Sequence, residues 1–213
     1  EKLGVIYLIS SSQDPSKEIV VKTATHDLEN PLLYSVTDLF ETAQFNEREV
    51  YGMFGIRFIK NPDMRRIFLN NDWVGFPLRK NYDNNPEINP VSVVSREIID
   101  TAPRILETTD GLKEEIINIF EPDDYIINIG PQHPSTHGVM HLRTALDGEV
   151  VKKIDVHSGY IHRGIEKLSE NLMYPQILHF TDRLDYLSAN INRHALCMCV
   201  EKAAGIEVPE RAQ

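Results

Sequence analysis

The segment from Asp83 to Asp124 sets the strongest limit on how this 213-residue chain folds. It contains Asn84-Asn85-Pro86, Asn89-Pro90 and Pro103, and its apolar residues follow only a weak period. Proline lacks a backbone N–H and fixes φ, so regular structure is interrupted at each of these points. Residues 84–125 also hold three basic side chains against ten acidic ones, which is −7 of the formal net charge of −10. The flanking parts are nearly balanced, at −2 for residues 1–83 and −1 for residues 126–213. This pattern predicts two bodies joined by an extended acidic linker over 84–124. The stretch Glu114-Glu115-Ile116-Ile117-Asn118-Ile119-Phe120 is apolar enough to dock on something, so the linker is expected to be docked but irregular.

Composition narrows the class. With 41% hydrophobic and 25% charged residues the chain is ordinary for a globular protein, and its negative charge argues against free nucleic-acid binding. Cys197 and Cys199 are too close for a relaxed disulfide, which favours a reducing compartment. No apolar run approaches the roughly 18 residues of a membrane span, so a membrane role would be peripheral. The first residue is Glu1, and the last five, Pro209 to Gln213, form no natural ending, so the chain reads as a fragment.

In the first part, Leu3–Ser10 and Glu18–Thr23 are rich in Val and Ile and flank a Ser/Asp/Pro cluster, which predicts a strand pair. Leu39, Phe40, Ala43, Phe45, Val50, Tyr51 and Phe54 have helical spacing, with Ser35 or Asn46 as N-cap and Gly55 as a stop. In the last part, Tyr125–Ile129 is a short strand followed by the loop Gly130-Pro131-Gln132-His133-Pro134. Val139–Leu146 and Glu149–Val156 flank Asp147-Gly148, a hairpin signal. Ile165, Leu168 and Leu172 mark an amphipathic helix, and a longer helix is expected over Asp182–Ala204, ending at Gly205. The fold class is therefore α+β.

Histidine is concentrated late: only His26 precedes residue 126, and seven follow. His133, His137 and His141 are spaced by four, which on a helix would share a face and could hold a metal. Pro134 and Gly138 oppose a helix there, so no metal site is assigned. Loop and strand histidines bonded to nearby backbone are the simpler alternative.

Three motifs in order carry a resemblance: Gly130-Pro131-Gln132-His133-Pro134-Ser135-Thr136-His137-Gly138, His162-Arg163-Gly164-Ile165-Glu166-Lys167 and Thr181-Asp182-Arg183-Leu184-Asp185-Tyr186. They resemble the N-terminal part of the D subunit (49 kDa-like) of bacterial NADH:quinone oxidoreductase, respiratory complex I. Glu47-Arg48-Glu49-Val50-Tyr51-Gly52-Met53-Phe54-Gly55, Arg65-Arg66-Ile67 and Trp73-Val74-Gly75-Phe76-Pro77-Leu78-Arg79-Lys80 resemble its C subunit (30 kDa-like). Gly52 and Asn61 depart from it, since that family usually has Asp and His there. The resemblance implies a C/D fusion: a C-like domain over 1–83, the linker over 84–124, and a D-like part over 125–213. That last part would share the fold of [NiFe]-hydrogenase large subunits. Arg65, Arg66, Arg79 and Lys80 read either as a partner-docking surface or as a solvated basic face; the fusion favours docking.

Reducing a quinone to a quinol takes two electrons and one proton at each oxygen. Histidine titrates near neutrality and tyrosine carries a phenolic proton, so such a pair can hydrogen-bond the head group and supply protons. By resemblance the pair is His137 and Tyr186, with His133 and Gly138 in the vicinity. Arg163, and less directly Arg183, would tune a terminal iron–sulfur cluster held by a neighbouring subunit, because a fixed cation favours the reduced state. Quinone is then the substrate, and neither a cofactor nor NADH is bound by this chain. The implied partners are the subunit with that cluster and the membrane subunits at the quinone entrance, at the cytoplasmic face of the bacterial inner membrane. A hydrogenase large subunit is the chief rival, but Asp185 and Ser188 stand where its cysteine thiolates would hold nickel and iron. A non-catalytic assembly scaffold is the other alternative.

Overall fold

The computed structural model describes residues 2–14, 16–83, 99–135 and 137–212. The chain divides into two compact units, Glu1–Ile161 and His162–Gln213. Sheets and helices are both present, which is the α+β class expected from the sequence.

The first unit opens with β1 (Leu3–Ser10) and β2 (Glu18–Thr25), paired antiparallel from Leu3↔Thr25 to Ser10↔Glu18. Next come β3 (Leu32–Tyr34), helix α1 (Ala43–Phe54) and β4 (Arg57–Ile59). The helix starts after Thr42 rather than at Ser35 or Asn46, and stops at Gly55 as the sequence predicts. Gly55 has φ 78°, and a Cβ there would lie 2.5 Å from the Phe76 ring, so only glycine fits. Leu33, Ile56, Phe58 and Met64 form a core beneath this helix, joined by Leu3, Val5, Val50, Tyr51 and Phe54. Strands β3 and β4 are too short to show a period in the sequence.

The expectation of an irregular linker is overturned for residues 101–118. They form a hairpin of β5 (Thr101–Thr108) and β6 (Gly111–Asn118), paired antiparallel, which completes a sheet in the order β3-β4-β5-β6. Ala102 and Ile105 are both buried although three positions apart, so each face of β5 carries one buried side chain, and Arg104 opposes Glu115 and bonds it at 2.7 Å. Ala102, Ile119 and Phe120 then share a core with Ala145. Several of the acidic side chains have basic partners: Glu114 pairs with Arg57, Glu107 with Lys60 and Asp100 with Arg143, all three acids staying exposed, and Asp124 pairs with Lys152. The part of that expected linker from 84 to 98 lies outside the described residues.

A third sheet, in the order β7-β8-β9, holds β7 (Tyr125–Gln132), β8 (Met140–Asp147) and β9 (Val150–Val156), with Asp147-Gly148 at the predicted hairpin. The edge strand β7 continues past Ile129 through Pro131 with a register shift; an edge position tolerates the missing N–H.

The second unit holds α2 (Ile165–Ser169), α3 (Tyr174–Thr181) and α4 (Ala189–Ala204), then a 3-10 turn at Glu210–Ala212. Two expectations fail here. The amphipathic helix ends before Leu172, and the long helix is broken: α3 stops at Thr181 and α4 begins only at Ala189. Asp182 leaves the helix to take Arg193 of α4 in a two-pronged ion pair, and Asn192 donates to the Asp185 carbonyl at 3.3 Å. On α4 Cys197 is half-buried and Cys199 is exposed. Among the described residues no helix is long and apolar enough to cross a membrane.

Candidate functional site

The three histidines spaced by four fall into two environments. His133 and His137 lie exposed on the loop between β7 and β8, their rings edge-on at 6.0 Å. Ser135 and His137 have φ of 59° and 55°, a left-handed conformation that costs a non-glycine residue about 1–3 kcal/mol unless its surroundings hold it. Such strain concentrates at functional loops. Gly138 closes the loop, and a Cβ placed on it would lie 3.7 Å from Ile161.

His141 turns inward at the start of β8 and is 3% exposed. Its Nδ1 meets the Tyr160 hydroxyl at 2.7 Å, and its ring lies 4.9 Å from that of His157. The His157 Nε2 donates to Asp155 at 2.8 Å, and its backbone N–H donates to the His141 carbonyl at 3.0 Å. Asp155 is gripped by Arg65, which donates to both carboxylate oxygens at 2.7 and 3.2 Å. Arg65 also bonds Asp63, which pairs with Arg48 at 3.3 Å. Burial acts to raise the Asp155 pKa, but hydrogen bonds from His157 and Arg65 outweigh it and hold the carboxyl well below its ordinary range. From sequence alone His141 and His157 read as merely structural; the Asp155-Val156-His157 spacing at the end of a hairpin is the available signal.

Neither sequence reading of the arginines holds, because Arg65 and Arg66 are both 8% exposed. Arg66 donates to the carbonyls of Gly52, Trp73 and Gly75, with its guanidinium 4.9 Å from the Phe76 ring. Arg79 bonds the carbonyls of Phe54 and Leu28, and its guanidinium lies 4.8 Å from the same ring. These side chains fix loop backbone inside the first unit rather than facing a partner or solvent. Lys80 is exposed.

The remaining expected residues belong to the second unit. Arg163 is exposed just before α2, and Arg183 lies 3.5 Å from Asp182. Tyr186 is 57% exposed and sits in the turn between α3 and α4, not on the helix expected from the sequence. In that turn Asp185 accepts the Leu187 N–H at 3.1 Å. The expected residues thus divide: His133, His137 and Gly138 in one unit, Arg163, Arg183 and Tyr186 in the other. Among the described residues no three His, Cys, Asp or Glu side chains come together as a metal cage. A cavity of about 710 Å³ is lined by Tyr7, Leu33, Tyr34 and Phe40 among others, and by none of the expected site residues.

Residues 1–87 match the family described as respiratory-chain NADH dehydrogenase, 30 Kd subunit. The similarity then runs through the whole chain. It is 56% identical over 214 residues to the NADH-quinone oxidoreductase C/D subunit of Phocaeicola vulgatus, covering 100% of this chain and 41% of the relative. It is 54% identical to the C/D subunit of Bacteroides fragilis over 99% of this chain and 40% of the relative. The C/D subunit of Bdellovibrio bacteriovorus is 33% identical over 100% of this chain and 36% of that protein. The chain is thus similar along its whole length to C/D subunits, and it spans about two fifths of the length of the curated relatives it matches.

Proposed function

We propose that the chain contributes to the quinone-reduction site of a complex I–type NADH-quinone oxidoreductase. The observation that carries this is identity across the whole chain to proteins named as C/D subunits. In this reading residues 1–83 are the C-like domain, and 125–213 are the start of the D-like part, with its resemblance to the hydrogenase large-subunit fold. His137 and Tyr186 hydrogen-bond the quinone head group and hold the protons it takes up, with His133 and Gly138 beside them. The exposure of His137 and Tyr186 and the left-handed backbone at His137 support the assignment. Arg163 and Arg183 lie toward a terminal iron–sulfur cluster in a neighbouring subunit, which supplies the electrons. The chain itself binds neither that cluster nor NADH. Its partners are the other subunits of the complex, including the membrane subunits at the quinone entrance, at the cytoplasmic face of the inner membrane. Quinone reduction is then linked to proton translocation elsewhere in the complex.

The test is to assemble the complex with full-length chains carrying His137→Ala or Tyr186→Phe. Quinone reductase activity should fall at least tenfold with assembly retained, and unchanged activity in either variant removes that residue from the site. Arg163→Ala separates this reading from a scaffold, since a scaffold leaves the cluster potential where it was.

A further inference from the structure

We propose that Arg65, Asp155, His157, His141 and Tyr160 are positioning residues that hold His133, Ser135, His137 and Gly138 in the shape that binds quinone. The inference rests on the quinone-site reading above and deepens it, because it assigns a part in quinone binding to an arginine of the C-like segment.

Three observations carry it. First, the group is continuous. Arg65 forks onto Asp155, the Asp155 carboxylate accepts from the His157 Nε2, the His157 backbone N–H reaches the His141 carbonyl, and the His141 ring meets the Tyr160 hydroxyl. Second, it is buried where burial is costly. Arg65, Asp155 and His141 are 8%, 6% and 3% exposed, and ion pairs this deep are worth little more than apolar residues of the same size. What they fix is direction, since a forked arginine and a ring nitrogen accept only narrow geometries. Third, the far end of the group is next to the loop. His141 follows His137 by four residues, and the Cδ1 of Ile161, the residue after Tyr160, lies 3.7 Å from where a Cβ on Gly138 would stand. The left-handed residues Ser135 and His137 need such a hold from outside the loop.

Loosening a positioning group spreads the loop over several shapes and lowers the fraction competent to bind. Apparent affinity falls by that fraction, while complexes that do form react as before. The expected signature is a raised KM for quinone at unchanged kcat. Tyr160→Phe removes one hydroxyl and should raise KM three- to tenfold with kcat within twofold. Asp155→Asn should raise KM further.

The experiment is steady-state kinetics of the assembled complex carrying the full-length chain, with a short-chain ubiquinone and a short-chain menaquinone as probes. His137→Ala is measured alongside. Raised KM with kcat retained in Tyr160→Phe supports the proposal. A lowered kcat at unchanged KM, or no change in either, overturns it; if Asp155→Asn fails to assemble, Tyr160→Phe decides alone. Loss of activity in His137→Ala together with an unaltered Tyr160→Phe overturns the positioning network and leaves the quinone site standing. Full activity in His137→Ala overturns the site reading and the network with it.

Discussion

Arg65 donates two hydrogen bonds to Asp155, at 2.7 and 3.2 Å, and so ties residues 90 positions apart. The side chains are 8% and 5% exposed, which makes this a buried pair. Such a pair adds little net stability over an apolar replacement, but breaking one side of it leaves a buried charge without its counterpart. Asp155→Ala should cost about 3 kcal/mol, at the lower end of the range for a broken buried pair because Asp63 still bonds Arg65. The Asp155 pKa is depressed in the folded chain, so its stabilisation is present above the unfolded carboxyl value of about 4 and is lost as pH falls below it. Denaturant unfolding of the full-length protein at pH 7 and pH 3 tests both: the variant should differ clearly from the parent at pH 7 and less at pH 3.

Glu47 shows the same logic inside the C-like segment. It is 2% exposed, and its carboxyl group accepts from the Ser35 hydroxyl and Asn61 amide at 2.7 Å and from the Val36 N–H at 2.9 Å. Glu47→Gln keeps the shape but turns an N–H group toward these donors. The substitution should destabilise by about 2 kcal/mol, read as a lowered denaturation midpoint at unchanged slope. The oxygen of the Asn61 amide in turn accepts the Asp63 N–H at 2.9 Å.

Gly52 lies inside α1, and a Cβ built there meets no atom within 4 Å. Glycine in a helix interior is less favourable than alanine, because it gives up more backbone freedom on folding. Gly52→Ala should therefore raise stability by roughly 0.5–1 kcal/mol, provided its carbonyl keeps the 2.7 Å bond from Arg66. The thermal midpoint of the full-length protein should rise accordingly, and a fall would place an unseen neighbour against the helix.

How much of this is legible in the sequence depends on how local each signal is. The β1–β2 pair, the Gly55 stop and the Asp147-Gly148 hairpin are readable, because each is written in neighbouring residues. The β5–β6 hairpin is not, since acidic side chains stand on both of its faces and Glu114 and Glu107 find Arg57 and Lys60 far along the chain. The break before Ala189 is hidden for a similar reason: Leu184 and Leu187 keep a helical period with Ile191, yet the Asp182–Arg193 pair closes a turn there instead. Of the proposed site, the motif histidines and Tyr186 come from the resemblance of their motifs alone. The inward turn of His141 toward His157 and Tyr160 is not legible, because both partners lie far along the chain beyond the β8–β9 hairpin.

Tyr7 offers a test at the alkaline end. Its hydroxyl is buried with no hydrogen-bond partner among the described residues, and burial, with the nearby Glu47 charge, pushes its pKa up to about 12. The folded chain therefore holds the phenolic proton after the unfolded chain has lost it at about pH 10. Because the folded state binds this proton more tightly, stability is complete below about pH 10 and declines as pH rises toward the folded value of about 12. Tyr7→Phe removes the unmatched hydroxyl and this titration together. The variant should gain roughly 1 kcal/mol at neutral pH and lose less stability than the parent between about pH 10 and 12. Tyr34, held protonated by its hydrogen bond to Glu107, keeps part of the alkaline limb in both proteins. Denaturation midpoints across that pH range decide it: parallel curves for parent and variant would mean that the Tyr7 hydroxyl finds a partner in the assembled protein.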